Sequence, residues 1–262
     1  MSMFSMQELF LDAKSSADEP PPVAPAPAAP LHSSSLTELC TLLNISADIR
    51  HHHHFRFHHV RLRRDQQLYQ TGQPCLQLYA VKTGFLKATL TADAKRPPVV
   101  GFPMRASLVG VEGIASGHHT VDVTALTDCE LVVIPLDTLA LLSRDCVGLS
   151  RSMCLVMAGE LARELSVSKR RGLSAKARIG RFLLDWSERF ASMGYARNVF
   201  NLPMSRGDMG SYLGMAQETA TRALLALEED GLISINHRTV CIHDRQVLLT
   251  LKRMPRQRHS PD

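Results

Sequence analysis

The sequence predicts an α+β chain in three successive parts: a jelly-roll type β-roll, one long helix, and a C-terminal winged helix-turn-helix. Three observations carry this. Between about 60 and 136 the runs LQLYAV, FLKATLT, PVVGF and CELVVIP are short and rich in branched and aromatic residues, with glycines at 72, 84, 101 and 110 between or beside them. After Pro135 the apolar spacing changes to steps of three and four. Near the C-terminus two helical patterns flank a glycine, and two short alternating runs follow.

Taken in order, residues 1–18 include an amphipathic pattern over 3–14, and 19–30 read EPPPVAPAPAAP. Proline fixes φ and lacks the amide hydrogen, so that run is expected as extended linker and 1–30 as a disordered extension. The β-roll is assigned to 31–146 and the long helix to 147–171. The winged helix-turn-helix takes 172–250, with its two-helix core at 205–229, and 251–262 form a basic tail. A short helix is expected at 136–142. Another at 174–193, with Phe182, Leu183, Trp186 and Phe190 at helical spacing, supplies the small domain's core.

Composition narrows the function. The formal net charge is +5, and from Lys169 onward sixteen Lys/Arg stand against nine Asp/Glu. A basic C-terminal region suits nucleic acid better than an acidic metabolite, although a basic surface also serves solubility. No stretch approaches the roughly 20 apolar residues of a membrane helix, and the N-terminus lacks a secretory pattern, so a cytoplasmic protein is expected. The six cysteines are scattered without a CxxC pair, which argues against a zinc site or disulfide framework; most are expected as buried thiols. Neither a P-loop, a nucleotide fingerprint nor a hydrolase spacing is present. Ser116, His118 and His119 lack a triad partner, so no catalytic residue is assigned and an enzyme is not expected.

In the long helix Cys154, Met157, Leu161, Glu164 and Ser168 follow steps of three, four, three and four, a heptad seam. Such a seam can join two copies of the chain or pack on the chain's own barrel. In a homodimer it brings two Glu164 carboxylates together, which opposes association.

The most informative stretch runs from 203 to 235. Ser205 is placed as an N-cap with Asp208 three residues on, as in a capping box. A first helix spans 206–213, Gly214 supplies a left-handed turn, and a second helix spans 217–229. Gly231 closes it, and 232–235 with 239–242 form a wing. Met209, Leu213, Met215, Ala220, Leu224 and Leu227 pack the pair. Gln217, Glu218, Thr221 and Arg222 then face outward near the start of the second helix, the end that meets base edges in a major groove. Glu218 can accept from a cytosine amino group, and Arg222 can donate twice to guanine or bind phosphate. Thr221 can touch a thymine methyl or a phosphate. Ser205 and Arg206 complete the expected DNA-contacting set.

The run SRGDMGSYLGMAQETATR resembles the helix-turn-helix of CRP/FNR transcription regulators, and the E-x-x-T-R spacing of Glu218, Thr221 and Arg222 is close to the E-x-x-S-R set of the FNR branch. CRP has R-E-x-x-G-R, with Gln217 standing where its first arginine would be. SLVGVEGIASGHH, from Ser107 to His119, resembles the FNR-type β-roll, and MAGEL, from Met157 to Leu161, resembles the start of its dimer helix. The resemblance covers about 31–249. It implies a cyclic-nucleotide-binding-like roll, a dimerisation helix, and a palindromic operator on double-stranded DNA with half-sites near TTGAT or TTGAC. It further implies activation through contact with RNA polymerase.

The FNR branch holds an iron–sulfur cluster on four cysteines, three of them close together near the N-terminus. Here Cys40 stands alone in that region, and Cys129 lies three positions before the place of the internal ligand, so no cluster is expected. The cyclic-AMP branch grips the cyclic phosphate with an Arg-Ser pair, and VGVEGIASGHH has no arginine, so cyclic AMP is not expected either. His51, His52, His53, His54, His58 and His59 form a histidine-rich patch that is either a solvated loop or a haem or metal site. A regulator that needs no ligand is the remaining alternative.

Overall fold

The computed structural model describes residues 32–46, 54–91, 97–169 and 172–251. They form two compact units, one made mainly of residues up to Leu161 and the other of those from Ala162 onward. The 3–14 helix, the proline-rich run, His51 to His53 and most of the basic tail lie outside the described residues.

The first unit opens with β1 (Ser33–Ser35) and α1 (Leu36–Leu42), neither of which the sequence pattern revealed. Ser35 caps α1 in a capping box with Glu38. Then come β2 (Arg56–Leu62), β3 (Gln67–Tyr69), β4 (Gln77–Thr83), β5 (Leu86–Thr89), β6 (Val99–Gly101) and β7 (Leu108–Val109). A 3-10 turn (Val111–Gly113), β8 (Asp122–Ala125) and β9 (Cys129–Pro135) follow. They form a five-stranded sheet ordered β1–β2–β9–β4–β7 and a four-stranded sheet ordered β3–β8–β5–β6. The pairing of β4 with β9 sets Leu78 opposite Ile134 and Ala80 opposite Val132, all buried. One face of this sheet carries the core, where Leu36, Leu39 and Cys40 of α1 meet Phe57, Leu78 and Ile134.

Two glycines at the expected turns are obligatory. Gly84 has φ +90°, and a Cβ there would lie 2.4 Å from the Asp128 carbonyl. Gly110 has φ +99°, a conformation that L side chains rarely adopt. Gly101 corrects the turn pattern. It ends strand β6, with ordinary backbone, because a glycine beside Val99 and Val100 can remain paired in a sheet.

His58 and His59 do not share a face. His58 and His59 are neighbours on β2, where side chains alternate, so His58 is exposed and His59 buried. His59 Nδ1 lies 2.6 Å from Glu130 and its Nε2 lies 2.9 Å from the Ser34 hydroxyl, pinning β1 and β9 to β2. Lys82 also donates to Glu130 at 3.4 Å. Burial pushes the Glu130 carboxyl up, but hydrogen bonds and charge from His59 and Lys82 outweigh it, leaving its pKa below the ordinary 4.5. A depressed carboxylate stabilises the fold above its unfolded pKa, and that gain is lost as pH falls through the folded value. Glu130→Gln should therefore destabilise the protein by about 1–2 kcal/mol at pH 7, with the difference shrinking in urea titrations toward pH 3. An equal difference at both pH values would rule this out.

After β9 come α2 (Leu136–Asp145), three residues longer than expected, and α3 (Val147–Lys169). Leu139, Leu142, Leu149 and Met153 pack into the first unit's core.

The second unit is built on α4 (Ala175–Ser192), capped by Ser174, with Ile179, Phe182, Leu183 and Trp186 buried. The helices α5 (Arg206–Tyr212) and α6 (Gln217–Glu229) follow, then β11 (Ile233–Asn236), β12 (Thr239–Ile242) and α7 (Arg245–Thr250). The wing has a third strand, β10 (Val199–Asn201), which sets Phe200 opposite Val240 in the order β10–β12–β11.

Candidate nucleic-acid interface

Helix α5 begins as its sequence predicts. The Ser205 hydroxyl accepts from the Asp208 amide at 3.0 Å, and the Asp208 carboxylate accepts from the Ser205 hydroxyl at 2.7 Å. Leu213 is the C-cap, and Gly214 turns the chain with φ +65°. The turn is tight: a Cβ on Gly210 would lie 2.8 Å from the Met215 carbonyl. Met209, Leu213, Ala220, Leu224 and Leu227 are buried between the helices and against α4, and Met215 is half-buried.

Helix α6 spans the expected residues, and its N-cap, Ala216, has no side-chain capping bond. Its first amide hydrogens, which like those of any helix have no intrahelical acceptor, thus receive none from the cap side chain. Glu218 and Arg222 are exposed, one turn apart. Thr221 is half-buried, and its hydroxyl donates to the Gln217 carbonyl at 2.9 Å. That bond occupies the hydroxyl hydrogen within the helix and leaves the methyl group and lone pairs for an outside partner.

The other expected contacts sit differently. Gln217 is exposed, but its Oε1 lies 2.9 Å from where a Cβ of Gly207 would be, so its carboxamide lies over the first helix. Arg206 is half-buried, and burial lowers the pKa of its guanidinium against the opposing charge of Glu228. Glu228 also accepts from the Ile235 amide at 2.9 Å, tying the wing to α6. Ser205 is exposed while serving as the cap. Glu218 and Arg222 are thus the exposed charged pair near the start of α6, with Thr221 half-buried beside them. Sequence reasoning left out the wing turn, where Asn236, His237 and Arg238 are exposed and His237 has φ +53°. The visible signal was a basic residue between two alternating runs.

In the first unit, the loop that carries VGVEGIASGHH is held by contacts among the protein's own side chains. The Tyr69 hydroxyl donates to Glu112 at 3.0 Å, and His119 Nδ1 lies 3.1 Å from the same oxygen. The Tyr69 and His119 rings stack with centroids 3.6 Å apart. Burial, then the Glu112 charge, pushes the Tyr69 phenol far above its ordinary range, keeping it a neutral donor. The Cys75 thiol is pushed up to about 11, chiefly by burial, and bonds the Gly110 carbonyl at 3.3 Å.

On α3, Cys154, Ala158, Leu161 and Leu165 are exposed, with Leu161 at 59% and Leu165 at 54%. Met157 is half-buried and packs on the first unit's core beside Val156. Glu164 and Ser168 lie on the same helix, but their side chains are outside the described residues. Among the described residues no cluster of three or more His, Cys, Asp or Glu is placed to hold a metal ion. None of the described helices is long and apolar enough to cross a membrane.

Residues 177–251 match the Crp-like helix-turn-helix domain, and residues 59–145 match the cyclic nucleotide-binding domain. The fumarate and nitrate reduction regulatory proteins of Escherichia coli K12 and Salmonella typhimurium are each 31% identical to the chain over 194 residues. The match covers 72% of this chain and 76% of theirs. The structure is similar to that of FixK2 from Bradyrhizobium japonicum, with a TM-score of 0.67 and 27% identity over 75% of this chain and 98% of that one. It is also similar to CLP, the c-di-GMP-responsive global regulator of Xanthomonas campestris, with a TM-score of 0.54 and 26% identity over 72% of this chain and 94% of that one.

Proposed function

The chain belongs to the CRP/FNR family of DNA-binding transcription regulators, and from that premise we propose that it reads a palindromic operator as a homodimer and acts through RNA polymerase. The observation that carries the reading is the exposure of Glu218 and Arg222 one turn apart at the start of α6, on a helix whose approach is set by the α5 cap and the Gly214 turn. In a major groove Arg222 donates its fork to guanine O6 and N7, Glu218 accepts from cytosine N4, and Thr221 lays its methyl against a thymine methyl. The half-site is near TTGAT or TTGAC. A second copy, joined along the exposed leucines of α3, reads the other half in the opposite sense.

On this reading no iron–sulfur cluster takes part. The residues do not fit one. Cluster irons take thiolates, whereas Cys40 and Cys129 are buried thiols whose pKa values burial pushes up, that of Cys40 to about 11. A second reading, regulation without any ligand, is favoured by the Tyr69–Glu112–His119 cluster, which engages Glu112 and His119 of the loop that resembles the one where the cyclic-AMP branch grips its phosphate. The haem or metal alternative is left with His54, His58 and the three histidines outside the described residues, because His59 bonds Ser34 and Glu130.

Selection of bound duplexes from a random pool by purified protein, with no added effector, tests the proposal. Enrichment of a two-fold symmetric sequence with half-sites near TTGAT or TTGAC is expected. Recovery of asymmetric or unenriched sequences would sink it.

A further inference from the structure

We infer that Arg178, on α4 and outside the reading helix, is a positioning residue that sets sequence discrimination by clamping the turn between α5 and α6. The inference rests on the proposed reading role of α6. The last carbonyls of a helix have no intrahelical donor. Arg178 Nη1 supplies one from a different helix, donating to the Leu213 carbonyl at 2.8 Å and to the Gly214 carbonyl at 3.2 Å. The cation also sits at the negative end of α5. Its own base is rigid, because Ala177 and Ile179 on either side are fully buried in the α4 core. The two-residue turn of Gly214 and Met215 is thereby tied to the domain's most packed helix.

Arg178 Nε is buried among the described residues with no hydrogen-bond partner, an arrangement that is unfavourable for the fold. An apolar side chain of similar length would avoid that penalty. What offsets it are the two bonds that its terminal nitrogen makes at the turn. The lever is short and sensitive. Arg222 lies about 8 Å along α6 from its start, so a tilt of about 10° at the turn moves it by more than about 1 Å. A shift of that size breaks a two-bond contact to a base edge, whose donor–acceptor distances vary by only a few tenths of an ångström. Contacts to phosphate, which are long-ranged and adaptable, survive the same tilt.

The test compares wild type, Arg178→Met and Arg178→Lys on two duplexes, the selected operator and a scrambled sequence of equal length, across a salt series. Thermal melts confirm folding at the assay temperature. For Arg178→Met the ratio of operator to scrambled affinity is expected to fall about tenfold, with scrambled-duplex affinity and salt slope unchanged. Arg178→Lys, which keeps a cation and a donor at the carbonyls, is expected to recover part of the ratio. If Arg178→Met is unfolded, Arg178→Lys decides alone by an intermediate ratio. An unchanged ratio, or equal loss on both duplexes, overturns the inference, since general destabilisation moves both affinities together. Wild type that fails to prefer any selected operator overturns the proposed function instead.

Discussion

Replacing Glu218 and Arg222 together by alanine is expected to abolish operator preference while leaving a folded, DNA-binding protein. Each good base contact is worth about 2 kcal/mol of discrimination, so losing both lowers affinity by about 1,000-fold for each half-site. Both side chains are exposed, and exposed substitutions away from caps and cores shift stability by only about 0.5 kcal/mol. One acid and one base are removed, so net charge is unchanged and the attraction to phosphates persists. Gel-shift titrations on operator and scrambled duplexes should therefore converge on one weak affinity. A variant that still prefers its operator would place the reading surface elsewhere.

Leu161→Lys is expected to convert a dimer into a monomer. Leu161 is 59% exposed in the single chain, so its replacement leaves the protomer intact. In the proposed dimer it is buried twice, once per copy. Losing two buried leucines removes about 3–6 kcal/mol of association energy before the burial of two ammonium groups is counted. Sedimentation velocity at micromolar concentration should show the lighter species, and operator binding should weaken toward that of a single half-site. An unchanged sedimentation coefficient would show that this stripe of α3 does not hold two chains together.

Local chemistry explains how much was legible beforehand. The bounds of α6 could be read because each end carries its own signal: the Gly214 turn before it and Gly231 after it. The capping box at Ser205 and Asp208 was equally explicit. Among the elements left unread, four lie outside the stretches where the pattern was clear. Strand β1 is three serines, with no alternation to read. Helix α1 is seven residues long, shorter than two turns of unambiguous periodicity. Strand β10 is only Val199, Phe200 and Asn201, with Phe200 alone buried, and α7, at six residues, is too short to show a helical period. The site was legible by residue type but not by exposure. Arg206 looks like an open cation, yet it is half-buried near Glu228, and Gln217 lies over Gly207. Arg178 escaped notice because only tertiary structure brings the start of α4 to a turn 35 residues later.

The Tyr69–Glu112–His119 cluster of the β-roll has a consequence for cellular response. If Tyr69, Glu112 and His119 already occupy the seat a signal molecule would take, the remaining variable is the number of copies in the cell. Because two chains must meet before the full site is read, promoter filling at low abundance rises with the square of that number. A doubling of synthesis then acts as a fourfold change at the promoter, a steep threshold that needs no messenger.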